Sequence, residues 1–244
     1  MAAPRISIVQ LDPHVPLDRF GGWLQGVVLK NVPVYRKPLP QVDDLGHGVI
    51  VLGGRASVDD GELWMGAVKR MMVEAVDREI PLLGICLGHQ LLAEAFGGEV
   101  RVADPGGGEH GAVRVEWLSG AERDPVLGRV ASLRGTLFPS SHADVVTKLP
   151  AGATELARTS AYPHQAFRVG SALGVQFHPE ASPELMTTWA ELRDEDSLAM
   201  RRSMRLVDDT VSRNGALVAQ GFAEVARAYA GSAESAGSGA FRVA

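Results

Sequence analysis

A single cysteine, Cys86, stands in a chain of 244 residues. One thiol forms no internal disulfide, so the fold must rest on an apolar core, and a reducing compartment is expected. Basic runs are missing and the formal net charge is −5, which points away from a nucleic-acid partner. No uncharged apolar run approaches the length of a membrane span, so no membrane association is expected. Met1-Ala2-Ala3-Pro4-Arg5 leads directly into a strand-like segment, without the apolar stretch of a secretory signal. The expected location is cytoplasmic. Internal repeats are absent, and so is a phosphate-binding G-x-x-x-x-G-K loop followed by Ser or Thr. A hydrophobic content of 45% and a charged content of 22% are those of a globular protein. The length suits one large α/β domain, or one domain with an appendage.

The lone cysteine sits in Gly84-Ile85-Cys86-Leu87-Gly88-His89-Gln90. A strand-like run, Pro81 to Ile85, leads in, and a helix-like run, Gln90 to Phe96, leads out and is stopped by Gly97-Gly98. This is the G-x-nucleophile-x-G elbow with a thiol in the serine position. The helix that follows aims its first amides and its positive end at the side chain, which favours a thiolate and an oxyanion there. Far downstream, the apolar run Val175-Gln176-Phe177 ends in His178-Pro179-Glu180. His178 and Glu180 are two apart, so in an extended segment they face the same side. Pro179 holds His178 extended and cannot continue a ladder. Thiol, imidazole and carboxylate are the parts of a Cys-His-Glu triad. Of seven histidines, His89 is nearest to Cys86 in sequence. Only His178 has a carboxylate at fixed spacing to orient it. The histidines show no spacing with Cys or acidic residues that would make a metal site.

Gly48 to Leu52 and Pro81 to Ile85 read as strands apolar on both faces, the mark of central parallel strands. Ile6 to Val9 is a first strand, Pro16 to Gln25 a weak helix, and Asp59 to Glu79 a long helix. Strand–helix alternation predicts a mostly parallel central sheet flanked by helices. From Ala112 onward, short strands over 112–117, 137–138, 154–158, 165–169 and 173–177 predict a smaller antiparallel or mixed region. Pro183 to Leu192 and then Ala199 to Ala228 read as helical, with a possible break at Asn214-Gly215. The expected division is a main domain over 1–192, a helical appendage over 193–230 and a disordered tail over 231–244.

These motifs resemble the class I (triad-type) glutamine amidotransferases. Val49 to Gly54 resembles the family's first glycine block, Pro81 to Gln90 its nucleophile block, and Gly174 to Glu180 its His-x-Glu block. Ser141 to Pro150 is similar in particular to the amidotransferase domain of GMP synthase. The resemblance covers most of residues 5–190 and implies an α/β, flavodoxin-like three-layer fold. It implies hydrolysis of the glutamine side-chain amide through a cysteinyl thioester, without a cofactor or metal. It implies Cys86, His178 and Glu180 as catalytic residues and the amides of Gly54 and Leu87 as oxyanion donors. Gly53, Gln90, Ser141, His142 and Asp144 would hold substrate, with Asp144 suited to an ammonium and His142 offering polar or backbone contacts.

One departure is Arg55, which follows Gly53-Gly54 where the family often has proline. Another is that no ammonia-using domain follows. The expected partners are therefore glutamine and a separate ammonia-using synthetase. The alternative is a stand-alone hydrolase of γ-glutamyl peptides or amides. A non-catalytic regulatory module on the same scaffold is the third reading, and the intact Cys86, His178 and Glu180 weigh against it.

Overall fold

A computed structural model describes residues 3–239, with side chains described through Ala233. Twelve strands are present among these residues: β1 Arg5–Gln10, β2 Val28–Pro33, β3 Gly48–Val51, β4 Leu82–Ile85, β5 Glu99–Arg101, β6 Glu109–Arg114, β7 Glu116–Trp117, β8 Leu137–His142, β9 Val145–Lys148, β10 Thr154–Arg158, β11 Ala166–Val169 and β12 Ala172–Val175. The helices are α1 Phe20–Trp23, α2 Met65–Asp77, α3 Leu87–Ala95, α4 Gly128–Ala131, α5 Pro183–Leu192, α6 Ser197–Leu206 and α7 Asp208–Gly239. None of the described helices is long and apolar enough to cross a membrane.

Eight strands form one sheet in the order β2-β1-β3-β4-β12-β11-β10-β7. The first five run parallel, and β11, β10 and β7 extend the sheet by antiparallel pairing. The central strands are apolar on both faces because both are covered. Ile50, Leu52, Leu83 and Ile85 enter one core with Phe222, Ala223 and Ala226 of α7. Val49, Val51 and Leu82 enter the other, with residues of α2 and α3. Helices on both faces of a mainly parallel sheet make this a three-layer α/β fold.

Register positions the site. In the parallel pair β4–β12, Ile85 lies opposite Val175, and in β3–β4, Val51 lies opposite Gly84. Three neighbouring strands therefore end at one level. The Gly53-Gly54 loop, Cys86 and the His178 turn leave the sheet at the same carboxyl edge, where ligands of open α/β sheets bind.

Several local expectations are corrected. The helix expected from Asp59 begins only at Met65, because Asp60 turns its carboxylate back onto the Ser57 amide (2.8 Å) and Gly61 adopts φ +71°. The helix expected over 16–25 shrinks to Phe20–Trp23, as the Gly21-Gly22 pair would suggest. Asp196, in an acidic stretch that reads as either a break or a start, caps α6 by accepting the Ala199 amide at 2.9 Å.

The break expected at Asn214-Gly215 is absent, and α7 continues through it. Asn214 is fully buried and donates from Nδ2 to the Leu137 carbonyl at 3.0 Å. Gly215 packs against the Pro179 carbonyl, so close that a Cβ there would overlap the oxygen. The pair that looks like a helix breaker is the seat of α7 on the His178-Pro179-Glu180 turn. The backbone of the expected tail is helical as far as Gly239, and residues 240–244 lie outside those described.

Gly215→Ala tests this seating, because two effects oppose. Alanine gains about 1 kcal/mol of helix propensity, while the added methyl meets backbone and overpacking costs about 1–3 kcal/mol or more. The clash with backbone wins, so the melting temperature should fall by several degrees. An unchanged or raised melting temperature would show that α7 is not seated on this turn.

Candidate active site

Cys86 occupies the turn between β4 and α3 with φ +52° and ψ −107°. A non-glycine residue held there costs about 1–3 kcal/mol. The neighbours explain how the turn closes. A Cβ on Gly84 would lie 2.6 Å from the Gly88 carbonyl oxygen, and one on Gly88 would overlap the Val51 carbonyl oxygen. Only glycine allows these backbone approaches. The side chain of Cys86 is buried to 6% exposure, and its sulfur lies 3.8 Å from the Ser141 carbonyl oxygen.

His178 follows β12, and its amide donates to the Pro139 carbonyl at 2.8 Å. Its Nδ1 lies 2.7 Å from Glu180 Oε1, and both side chains are buried. With Nδ1 turned to the carboxylate, Nε2 is left to share a hydrogen bond with the Cys86 sulfur. Trp189 of α5 packs its ring 4.6 Å from the imidazole and anchors itself by donating from Nε1 to the His14 carbonyl at 2.8 Å. Gly53 completes the packing: a Cβ there would come within 2.9 Å of His178 Cε1 and 3.3 Å of Cys86 Cβ. Burial pushes the imidazole towards its neutral form. The charges of Glu180 and Cys86 and the hydrogen bonds to both push the other way, and win, raising His178 from its ordinary 6.5 to about 10.

His89, the nearest histidine in sequence, is not placed for the same work. It is fully buried, packs 4.9 Å from the Phe167 ring, and burial lowers it to about 3. It is a neutral core side chain.

A cavity of about 290 Å³ opens in front of Cys86 and His178. Gly54, Gln90, Ser141, His142 and Asp144 line it, so most of the residues singled out in the sequence meet there. The Leu87 amide opens α3, where first-turn N–H groups have no intrahelical acceptor. Gln90 Nε2 donates to the Asp144 carbonyl (3.0 Å) and to Gln176 Oε1 (3.2 Å). Segment 141–144 is not a free loop but the tight connection between β8 and β9. Asp144 Oδ1 accepts the Ala103 amide at 2.9 Å. The His142 ring turns inward: Nδ1 meets the Asp144 carbonyl and Nε2 meets Glu109 Oε2, each at 3.1 Å. Its backbone, not its imidazole, is left for the cavity. Glu109 also accepts from Thr159 (2.7 Å) and Gln165 (2.9 Å), so the connection stands on a buried polar network. Among the described residues no group of three or more His, Cys, Asp or Glu could hold a metal ion.

Several wall residues carry no sequence signal. Arg55 stands out in the sequence, but its tie to Asp12 does not: Nε donates to Oδ2 at 2.8 Å. Burial pushes the Asp12 carboxyl up, and hydrogen bonds from Arg55 and from the amides of His14 and Arg55 outweigh this and hold it below its usual range. Trp189, Leu192, Arg193 and His110 also line the cavity. No motif marks them, because each comes from an element packed over the site rather than from a strand end.

A glutamine-hydrolysing GMP synthase subunit of Methanosarcina barkeri is 36% identical over 150 residues, covering 59% of this chain and 72% of that one. The same-named protein of Pyrococcus furiosus is 33% identical over 159 residues, covering 64% and 78%. The family model described as "Glutamine amidotransferase class-I" matches residues 26–191. Among solved structures, a glutamine amido transferase from Methylobacillus flagellatus superposes with a TM-score of 0.81 at 23% identity, covering 92% of this chain and 96% of that one. A glutamine amidotransferase from Thermotoga maritima gives 0.77 at 22% identity, covering 93% and 99%. At those identities the superpositions speak for the fold.

The Glu180 charge is the largest of the upward pushes on His178, and an NMR titration of the ring measures it. In the wild type the imidazolium should persist through neutral pH. In Glu180→Gln the midpoint should move down, since an anion that favours the cation is gone. The sign for stability follows. A folded-state value above 6.5 means the pair stabilises the fold fully below about 6.5 and loses that contribution as pH rises towards 10. A midpoint unaltered in Glu180→Gln would remove Glu180 as the source.

Proposed function

The chain belongs to the class I glutamine amidotransferases, and on that premise we propose that Cys86, His178 and Glu180 hydrolyse the side-chain amide of glutamine and deliver ammonia to a separate synthetase. The observation that carries this reading is the 2.7 Å His178–Glu180 pair facing the elbow cysteine across one cavity. The curated relatives support the division of labour, since their names describe glutamine-hydrolysing subunits of GMP synthase.

The Cys86 sulfur attacks the γ-carboxamide carbon, and its proton resides on His178 Nε2. The tetrahedral oxyanion settles against the amides of Gly54 and Leu87, which stand ready before charge develops. His178 then gives its proton to the departing nitrogen, ammonia leaves, and a γ-glutamyl thioester remains. Water, deprotonated by the same ring, attacks the thioester and releases glutamate. Glu180 holds the ring with Nε2 towards sulfur and stabilises its imidazolium form. Gly53 admits both side chains to one spot. Gln90 braces the substrate wall, and Ser141, the His142 backbone and Asp144 receive the amino-acid end, with Asp144 facing the ammonium.

Steady-state glutamate release, measured with and without an ammonia-using partner, tests the roles. Cys86→Ser and His178→Ala should each lose at least about a thousandfold in kcat, and Glu180→Gln less, because it acts through the ring. His89→Asn should not reproduce the His178 loss. Turnover retained in Cys86→Ser would refute the nucleophile. A wild type that cleaves γ-glutamyl dipeptides and leaves glutamine intact, with or without the partner, would replace this reading by that of a stand-alone γ-glutamyl hydrolase.

A further inference from the structure

We propose that Arg193 is a specificity-determining residue that receives the α-carboxylate of the γ-glutamyl substrate. The inference rests on the reading of the cavity as a γ-glutamyl site and adds a contact from outside the family-matched segment, which ends at residue 191.

Arg193 follows α5 and lines the cavity together with Cys86 and Asp144. Its guanidinium is fixed from two sides. Glu195 takes Nε and Nη2 at 2.8 and 2.9 Å, and Nη1 donates to Ser141 Oγ at 2.6 Å. A guanidinium has five N–H donors. These three bonds leave two, on a planar group whose fork matches a carboxylate. The side chain is 29% exposed, so the charge is neither sealed in the core nor free in solvent. Its field reaches the cavity wall: burial pushes His110 down, and the Arg193 charge adds to that push, with Glu195 acting in the opposite direction.

Among the described residues two arginines line this cavity, and their positions separate their roles. Arg55 follows Gly54, at the end where the amide carbon reacts, and is tied to Asp12. Arg193 is bonded to Ser141, three residues before Asp144 in the same tight connection. In an α-amino acid the carboxylate and the ammonium share one carbon, so their partners must stand side by side. Arg193 and Asp144 do, on one wall, and Arg55 does not. With Asp144 Oδ1 engaged by the Ala103 amide, its second oxygen is left for the ammonium.

The test follows modification of Cys86 in the purified full chain, which needs neither turnover nor a partner. Second-order rates are measured for a glutamine-shaped diazoketone amino acid, which carries the α-carboxylate, and for iodoacetamide, which does not. The wild type should strongly prefer the amino-acid reagent, and glutamate should protect. Arg193→Met should lower that preference by about 10- to 100-fold, the size expected for losing a charged hydrogen bond, while the iodoacetamide rate stays the same. Arg193→Lys, which keeps the charge and loses the fork, should retain part of the preference, and it decides the matter if the Met variant fails to fold. Full preference in the folded variants would overturn the inference and leave the proposed function standing. An equal loss with both reagents would also overturn it, by showing that Arg193 only positions the thiol. A wild type without preference would overturn the γ-glutamyl reading itself.

Discussion

Backbone pressed against backbone at Gly88 is the constraint on which the site depends. The first turn of α3 lies so close to the end of β3 that no side chain fits between Gly88 and the Val51 carbonyl. That contact, with Gly84 beneath it, fixes where the chain can turn. Cys86 takes the strain, at φ +52°. A cost of about 1–3 kcal/mol for such a residue is small against the two cores that hold β3 and β4, where a single fully buried Leu or Ile contributes roughly 1.5–3 kcal/mol. The strain is therefore borne by the sheet, and the thiol is held in one direction.

The second support comes from the C-terminal half. Arg19 joins Asp208 at the start of α7 by two hydrogen bonds of 2.6 and 3.0 Å. Both partners are partly exposed, so this pair contributes modestly. The closer grip is steric and buried: Asn214 holds the β8 backbone at Leu137, and Gly215 sits on the Pro179 carbonyl. Pro139 of β8 in turn receives the His178 amide. The histidine turn is thus clamped between the sheet edge and α7, while α5 lays Trp189 over the imidazole. A segment that reads in sequence as an appendage forms the back of the site, and Arg193 brings it to the front.

Local chemistry is what the sequence makes legible. The elbow can be read because two glycines, a preceding apolar strand and a following helix are all local signals. The paired His178 and Glu180 can be read from their spacing. The buried strands β3 and β4 follow from runs apolar on both faces. Strands β2, β5 and β9 carry no such signal. β2 is an edge strand with mostly exposed or half-buried side chains, and β5 has no buried residue. β9 reads as part of a substrate loop. The inward turn of His142 depends on Glu109, a partner 33 residues away. Arg193, Trp189 and Glu109 belong to the site only through tertiary packing, which no local pattern encodes. Asn214-Gly215 misleads for the same reason: its propensity says break, and its contacts say seat.

The central claim is that three neighbouring strand ends bring one thiol, one imidazole and two oxyanion amides around a single carbon. The most direct measurement is a crystal structure of the chain after reaction with a glutamine-shaped electrophile. The account predicts a covalent bond from Cys86 Sγ to the reagent's reacting carbon, with His178 Nε2 beside the sulfur. The amides of Gly54 and Leu87 should point at the reagent's carbonyl oxygen within hydrogen-bonding distance. An adduct whose oxygen faces away from both amides, or a reagent bound with Cys86 unmodified, would contradict it.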